Sequence, residues 1–394
     1  MKNNMKNKLA VNINKPEKKI KLQDNIFSIG SCFSNELSLV MKKKGVDVFS
    51  NPFGTVYNTF SIYSIIKKIF SADLYTQNDL QNENNTFFTL EHSAKFDCKS
   101  VSEIINKINR NLRETREKIN NTNIFIITLG TSVVYEYKNK IIANCHKLPD
   151  KLFSKKILNI NKNAEYLKKS IDIIKSNSKS PAIIFTLSPV RHTPANLVEN
   201  SYSKSILRAC IEEVVDNKTV YYFPSYEILL DELRNYSFYK KDGVHLKSST
   251  AKYVIEKFIS NYFSSDIKNY INNFNKIKLM LSHKIKDTST ENTFQLLIKI
   301  IDKITDLEKL KKTQLTESLK IKIVIKIIDN CPEKKEIIKE LLTKISFDDN
   351  GIITFFTVML EKNYDKIKAL ETENKVLKKY KDKMLYKLYL KDTI

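Results

Sequence analysis

The chain is poor in glycine, in paired cysteines, in long apolar runs and in arginine-rich blocks, and it has no tryptophan. Only 6 of its 394 residues are glycine, where ordinary usage of about 7% would give roughly 27. No phosphate-cradling loop of the P-loop kind is visible. The five cysteines, Cys32, Cys98, Cys145, Cys210 and Cys331, stand far apart without a C-x-x-C pair, which argues against a disulfide framework and against zinc or dithiol chemistry. No run approaches the ~20 apolar residues of a membrane span. The Lys- and Asn-rich start lacks the continuous apolar core of a secretory signal, so a cytoplasmic protein is expected.

Lys and Arg number 67 against 44 Asp and Glu, a formal charge of +23. Lysine dominates, however, and acidic residues are interspersed nearly everywhere. The balance therefore reads as a solvated surface, with no nucleic-acid partner expected. A hydrophobic share of 42% excludes a disordered polymer, and the length suits two domains, or one domain and an extension.

In a chain this short of glycine, each one should sit where the backbone needs positive φ or close approach. Gly45 and Gly351 read as ordinary turns, whereas Gly30, Gly54, Gly130 and Gly243 sit beside polar or titratable residues. Short apolar runs alternate with periodic stretches over the first two-thirds, the pattern of β-α units around a parallel sheet. Strands are expected at 25–29, 123–129, 182–187 and 219–223. Helices are expected at 33–43, 61–70, 101–119, 164–176, 202–215, 226–233 and 248–263. From about Asp266 a Lys/Ile/Leu periodicity takes over, broken mainly by Pro332 and the turn at 348–351. Ile367, Leu370, Leu377, Met384 and Leu388 fall near heptad a and d positions, with Asn374 and Lys381 at a. An antiparallel pair within the chain and a homodimer through this tail both fit that pattern. The expected division is a flexible segment at 1–19, an α/β domain at 20–265 and a helical extension at 266–394.

Loops at the carboxyl edge of a parallel sheet are where open α/β folds build sites. Ser31 and Cys32 follow the first strand, Gly54 lies in the next loop, Thr131 and Ser132 follow the third apolar run, and Asp242 and His245 precede the last helix of the domain. A nucleophile, a base with an acid three residues away, and backbone donors at glycine turns make up the inventory of acyl-transfer chemistry. The segment Phe27-Ser28-Ile29-Gly30-Ser31-Cys32-Phe33 resembles the signature of the GSCFA domain family, within the SGNH hydrolase-like superfamily. Similar blocks follow in order at 51–58, 128–131, 144–147, 188–192, 199–201, 222–227 and 242–245, so the resemblance covers roughly residues 20 to 262.

The resemblance implies a three-layer, flavodoxin-like parallel-sheet domain, here followed by an all-α extension. It also implies an esterase or acyltransferase acting through an acyl-enzyme on an acylated carbohydrate or related small metabolite. Asp242 and His245 match the superfamily's acid and base. Its nucleophile is the third residue of a Gly-Asp-Ser motif, and Gly30-Ser31-Cys32 puts Cys32 in that register. Cys32 and Ser31 both stand as nucleophile candidates. Gly30, Gly54, Gly130, Thr131 and Ser132 are expected to flank the oxyanion, with a hydroxyl in place of the superfamily's Asn. Arg191 and Lys147 are candidates to bind an anionic group of the substrate, and His146 and His192, beside them in family-like blocks, are further substrate-binding candidates. No metal and no resident cofactor are expected, and a coenzyme A thioester is a candidate acyl donor. The alternative from another class is a binding or scaffold protein that uses the same fold without catalysis.

Overall fold

The computed structural model describes residues 9–192, 196–283, 291–330 and 345. The chain enters the sheet through β1 (Ile26–Gly30) and turns at once into α1 (Cys32–Lys43), β2 (Phe49–Ser50) and α2 (Thr59–Phe70). Asn58 starts α2 by accepting the Ser61 N–H at 2.8 Å, one of the amides a helix start leaves without a partner. A hairpin of β3 (Leu80–Glu83) and β4 (Thr86–Thr89) precedes α3 (Val101–Ile119), which leads into β5 (Ile124–Leu129). Next come β6 (Val133–Tyr137), β7 (Lys140–Ile142), β8 (Phe153–Ile157), α4 (Ile160–Asn177), β9 (Ala182–Leu187), α5 (Leu197–Glu212) and β10 (Val220–Phe223). The short α6 (Ser225–Glu227) runs on into a π turn, and α7 (Ser248–Tyr262) follows.

β1, β2, β5, β9 and β10 form one parallel sheet in the order β10-β9-β5-β1-β2. β5 and β9, in the middle, are apolar and buried along their whole length, as parallel strands covered on both faces must be. Phe27, Ile29, Phe125, Ile127, Ile183 and Phe185 pack with apolar residues of α2, α3, α4 and α5. The alternate residues Ile26, Ile126 and Ile184 are buried too, which requires cover on the second face. α1 and α7 pack together there, with Phe223 of β10 against Phe258 of α7 at 5.0 Å between ring centroids. The expected α/β sheet flanked by helices is therefore present. The chain passes from β1 outward to β2 and later crosses back past β1 to β5 on its other side, so the loop after β1 opens at the point where the winding reverses, the usual ligand crevice of such sheets.

Three features depart from the expected pattern. The β3-β4 hairpin and a three-stranded antiparallel sheet, β7-β6-β8, were not anticipated. The hairpin turns rest on Asn84-Asn85 and Lys138-Asn139, all at positive φ, where glycine would be the usual residue. Residues 9–19, expected as a flexible segment, are tied down: the Val11 N–H donates to Glu232 at 3.2 Å, Lys18 to the Ser180 carbonyl at 2.6 Å, and Ile13 is buried.

The chain divides into two compact units, the first running to Lys268 apart from Lys44–Val46, which belong with the second. The second contains most of α8 (Ser265–Ser282) together with α9 (Glu291–Leu310) and α10 (Gln314–Asn330). Leu297, Ile300, Ile301, Ile304 and Leu307 form the buried stripe of α9, and Leu315, Leu319 and Ile323 that of α10, the spacing of an apolar helix face. The C-terminal helices are thus as expected, while Pro332, the 348–351 turn and the heptad positions from Ile367 to Leu388 lie outside the described residues. Among the described residues no helix is long and apolar enough to cross a membrane.

Candidate active site

The nucleophile candidates sit at the reversal point of the sheet. Gly30 ends β1 at φ +136°, and a Cβ there would fall 2.1 Å from the Thr128 carbonyl oxygen, so no side chain fits. Ser31 is buried; its N–H donates to the Thr128 carbonyl at 3.1 Å and its hydroxyl accepts the Phe33 N–H at 3.3 Å. That hydroxyl is engaged in starting α1. Cys32, the first residue of α1, is half-buried, and its sulfur lies 3.5 Å from the Tyr57 hydroxyl.

The opposite wall is the loop before α7. Asp242 Oδ1 accepts the Val244 and His245 N–H groups at 2.9 and 3.0 Å, and Oδ2 lies 2.8 Å from His245 Nδ1. Those backbone bonds, then the imidazole, hold the Asp242 carboxyl down to about 2. An imidazole that donates Nδ1–H to a carboxylate keeps Nε2 as its basic nitrogen. Arg191 braces this loop: its guanidinium donates to the Gly243 carbonyl at 2.6 Å and lies over the Tyr239 and Tyr236 rings at 4.2 and 4.8 Å. His192 beside it is held down to about 4 by burial and by the charges of Lys204 and Lys155, so its ring is neutral. Ser31, Cys32, Tyr57, Gly130, Ser188, Val190, Arg191, His192, Val244 and His245 together line one cavity of about 300 Å³.

The model of the GSCFA family matches residues 25–258, more than half of the chain and all of the sheet. The chain belongs to the GSCFA family. No curated protein and no solved structure matches it. The GSCFA match takes in both walls of the cavity and stops before α8.

Within the GSCFA domain the donors expected around an oxyanion are already committed. The Gly30 N–H goes to Asn51 Oδ1 at 2.8 Å and the Gly54 N–H to the Asn51 carbonyl at 2.9 Å. The Gly130 and Thr131 N–H groups share the Tyr57 carbonyl at 2.8 and 3.0 Å, and the Ser132 N–H goes to Ser203 Oγ at 2.8 Å. Nor do the hydroxyls replace the missing amide, since Thr131 and Ser132 both bond Ser203, at 2.9 and 3.1 Å. Of these residues Gly130 alone lines the cavity, and the bonds of the others hold the loops around it rather than offer donors. Tyr57 lines the cavity, its hydroxyl 3.5 Å from Cys32 Sγ and 3.2 Å from Thr55 Oγ1, and the Cys32 N–H is one of the helix-start amides that helix geometry leaves without an intrahelical partner.

His146 and Lys147 do not join the site either. His146 is buried with Nδ1 2.9 Å from Asp97 Oδ1 and its ring 4.5 Å from Phe88, and neither residue lines the cavity. The pair serves the turn after β7, where both take positive φ. Among the described residues no group of three or more His, Cys, Asp and Glu could hold a metal. Reading the sequence overlooked Tyr57, Ser188, Val190 and Val244, although all lie in blocks that resemble the family. It also overlooked Lys204, which is buried behind Gly130 and Ser188.

Proposed function

We propose that this GSCFA protein is an acyl-transfer enzyme of SGNH-like architecture, an esterase or acyltransferase working through an acyl-enzyme. The observation that carries the reading is the meeting, in one cavity, of a thiol at a helix N-terminus with a carboxylate-oriented imidazole. A thiol whose proton an adjacent imidazole can take is a stronger nucleophile than a hydroxyl. His245 Nε2 takes the Cys32 proton, and the thiolate adds to the carbonyl carbon of an ester or thioester. The negative charge that develops on the carbonyl oxygen is met by the Cys32 N–H and the Tyr57 O–H. On collapse the carbon–oxygen or carbon–sulfur bond to the leaving group breaks, and the His245 imidazolium returns the proton to it. Water or an acceptor hydroxyl, deprotonated by the same nitrogen, then attacks the thioester and frees Cys32. Asp242 keeps the ring in register and balances the imidazolium.

The engaged, buried hydroxyl of Ser31 favours Cys32 as the attacking residue. An acylated carbohydrate or related metabolite is the proposed substrate class, and a coenzyme A thioester a candidate donor.

The test is intact mass after incubation with acetyl-CoA and, separately, with an activated ester, on the unmodified chain and on Cys32→Ala, Ser31→Ala and His245→Ala. An adduct of one acyl group that survives Ser31→Ala, disappears in Cys32→Ala and slows in His245→Ala is expected. Loss of the adduct in Ser31→Ala alone would move the nucleophile to Ser31. No adduct with either donor, and cellular function unchanged in all three variants, would favour a binding protein, a reading that the committed amides also suit.

A further inference from the structure

Lys204 is fully enclosed in α5, at 2% exposure, and has no ion-pair partner among the described residues. Its amine donates to the Gly130 and Ser188 carbonyls, each at 2.7 Å. These are the first residues beyond two neighbouring strands: Leu129 of β5 pairs with Leu187 of β9, and the Ser188 N–H closes the ladder on the Leu129 carbonyl at 2.8 Å. Past that point the strands diverge into the two walls of the cavity. The Gly130 N–H holds the Tyr57 carbonyl, and the Tyr57 hydroxyl meets the Cys32 sulfur. Ser188 leads through Val190 to Arg191, whose backbone N–H reaches the Val244 carbonyl at 3.4 Å and whose side chain holds the Gly243 carbonyl. One amine thus stands at the root of both walls, the nucleophile's and the base's.

We propose that Lys204 is a positioning residue of the active site, whose buried amine fixes the distance between the Cys32 wall and the His245 wall. The residue touches no reacting atom. An unpaired buried amine is costly to keep, and an apolar side chain that fills the same space would take from the Gly130 and Ser188 carbonyls the donor they share. Burial pushes Lys204 down to about 7, yet either protonation form carries at least two N–H donors, so both carbonyls stay bonded across neutral pH. The consequence for catalysis rests on the acyl-transfer reading, but the positioning can be measured without an acyl donor.

The experiment is a double-mutant cycle on the full chain, reading the rate of Cys32 alkylation by iodoacetamide, with the modified site located by peptide mass spectrometry. In the otherwise unchanged chain, His245→Ala is expected to slow alkylation by about tenfold or more, since the thiol loses its base. In a Lys204→Met background the same change is expected to cost less than about threefold. An equal factor in both backgrounds overturns the proposal, as does no effect of His245→Ala in either. Circular dichroism checks folding, and if Lys204→Met does not fold, Lys204→Gln, which retains N–H donors on a shorter arm, is read by the same criterion. Failure of both variants to fold also overturns it, because Lys204 would then be a requirement of the fold. Intact coupling in a chain that no donor acylates would sink the acyl-transfer reading and leave the positioning role standing.

Discussion

Burial raises the Tyr57 phenol to about 12, against the opposing bond from Thr55, so the hydroxyl keeps its proton throughout the neutral range. A proton held there is a donor 3.5 Å from the Cys32 sulfur, close to where a carbonyl oxygen would acquire charge. Tyr57→Phe removes that donor and the bond to Thr55 while keeping the ring. The acylation rate is expected to fall by about tenfold to a hundredfold, near the lower end of what a lost oxyanion donor costs, with the melting temperature nearly unchanged. A time course of adduct formation measures this, and an unaltered rate would take Tyr57 out of the site. Sequence reading singles out Cys32, Asp242 and His245 because the features that mark them are local: a residue just after a strand, and an acid three residues from a histidine whose own backbone closes the loop. It does not reach Tyr57, which is one tyrosine among 19 and matters only because its loop returns across the sheet edge. The committed amides of Gly30 and Gly130 escape it for the same reason, since their acceptors on Asn51 and Tyr57 belong to another loop.

At the scale of elements, what could be read were the long periodic helices and the uninterrupted apolar strands β5 and β9, whose burial on both faces makes them conspicuous. The short strands of the two antiparallel sheets mix lysine, glutamate and asparagine with half-buried apolar residues, which blurs the period of two. Their turns were hidden by composition. A chain so poor in glycine places asparagine, and once lysine, at the positive-φ positions of these two turns, which asparagine tolerates better than most residues. Lys138 at φ 48° and Asn139 at φ 63° therefore hold a two-residue hairpin in a conformation that Asn-Gly adopts with less strain. The double change Lys138→Asn, Asn139→Gly is expected to stabilise the protein by about 0.5–1 kcal/mol, read as a higher urea midpoint at constant slope. A lower midpoint would mean that the Lys138 side chain, whose ammonium lies 4.8 Å from the centre of the Tyr137 ring, contributes more than the turn strain costs.

For the molecule as a whole, the excess of 67 basic over 44 acidic side chains shows itself at the surface in pairs such as Lys162 and Lys169 on Glu165 and Arg208 on Glu212. Exposed pairs of this kind contribute little to stability. A larger pH-dependent term lies inside. His92 is fully buried among Phe53, Tyr75 and Phe96, with ring centroids 4.9 to 5.0 Å away. Nδ1 is bonded to Thr89, and Nε2 is buried without a hydrogen-bond partner. Burial, reinforced by the nearby His146 and lysines, pushes this imidazole down to about 3 from an ordinary 6.5. Above pH 6.5 the ring is neutral in both folded and unfolded chains and costs nothing. Between 6.5 and 3 the unfolded chain takes up a proton that the folded chain refuses, so stability falls on acidification by about 1.4 kcal/mol per pH unit from this group. His192, held down to about 4, acts in the same sense over a narrower window, less strongly because its ring reaches the cavity. His92→Phe keeps an aromatic ring in the cluster and removes the titration. The difference in unfolding free energy between pH 6.5 and 4.5, measured in urea, is expected to shrink by about 2–3 kcal/mol in this variant. An undiminished acid limb would mean that protonation of carboxylates such as Asp216, held down to about 2 by the Lys218, Thr219 and Val220 amides, governs acid unfolding instead.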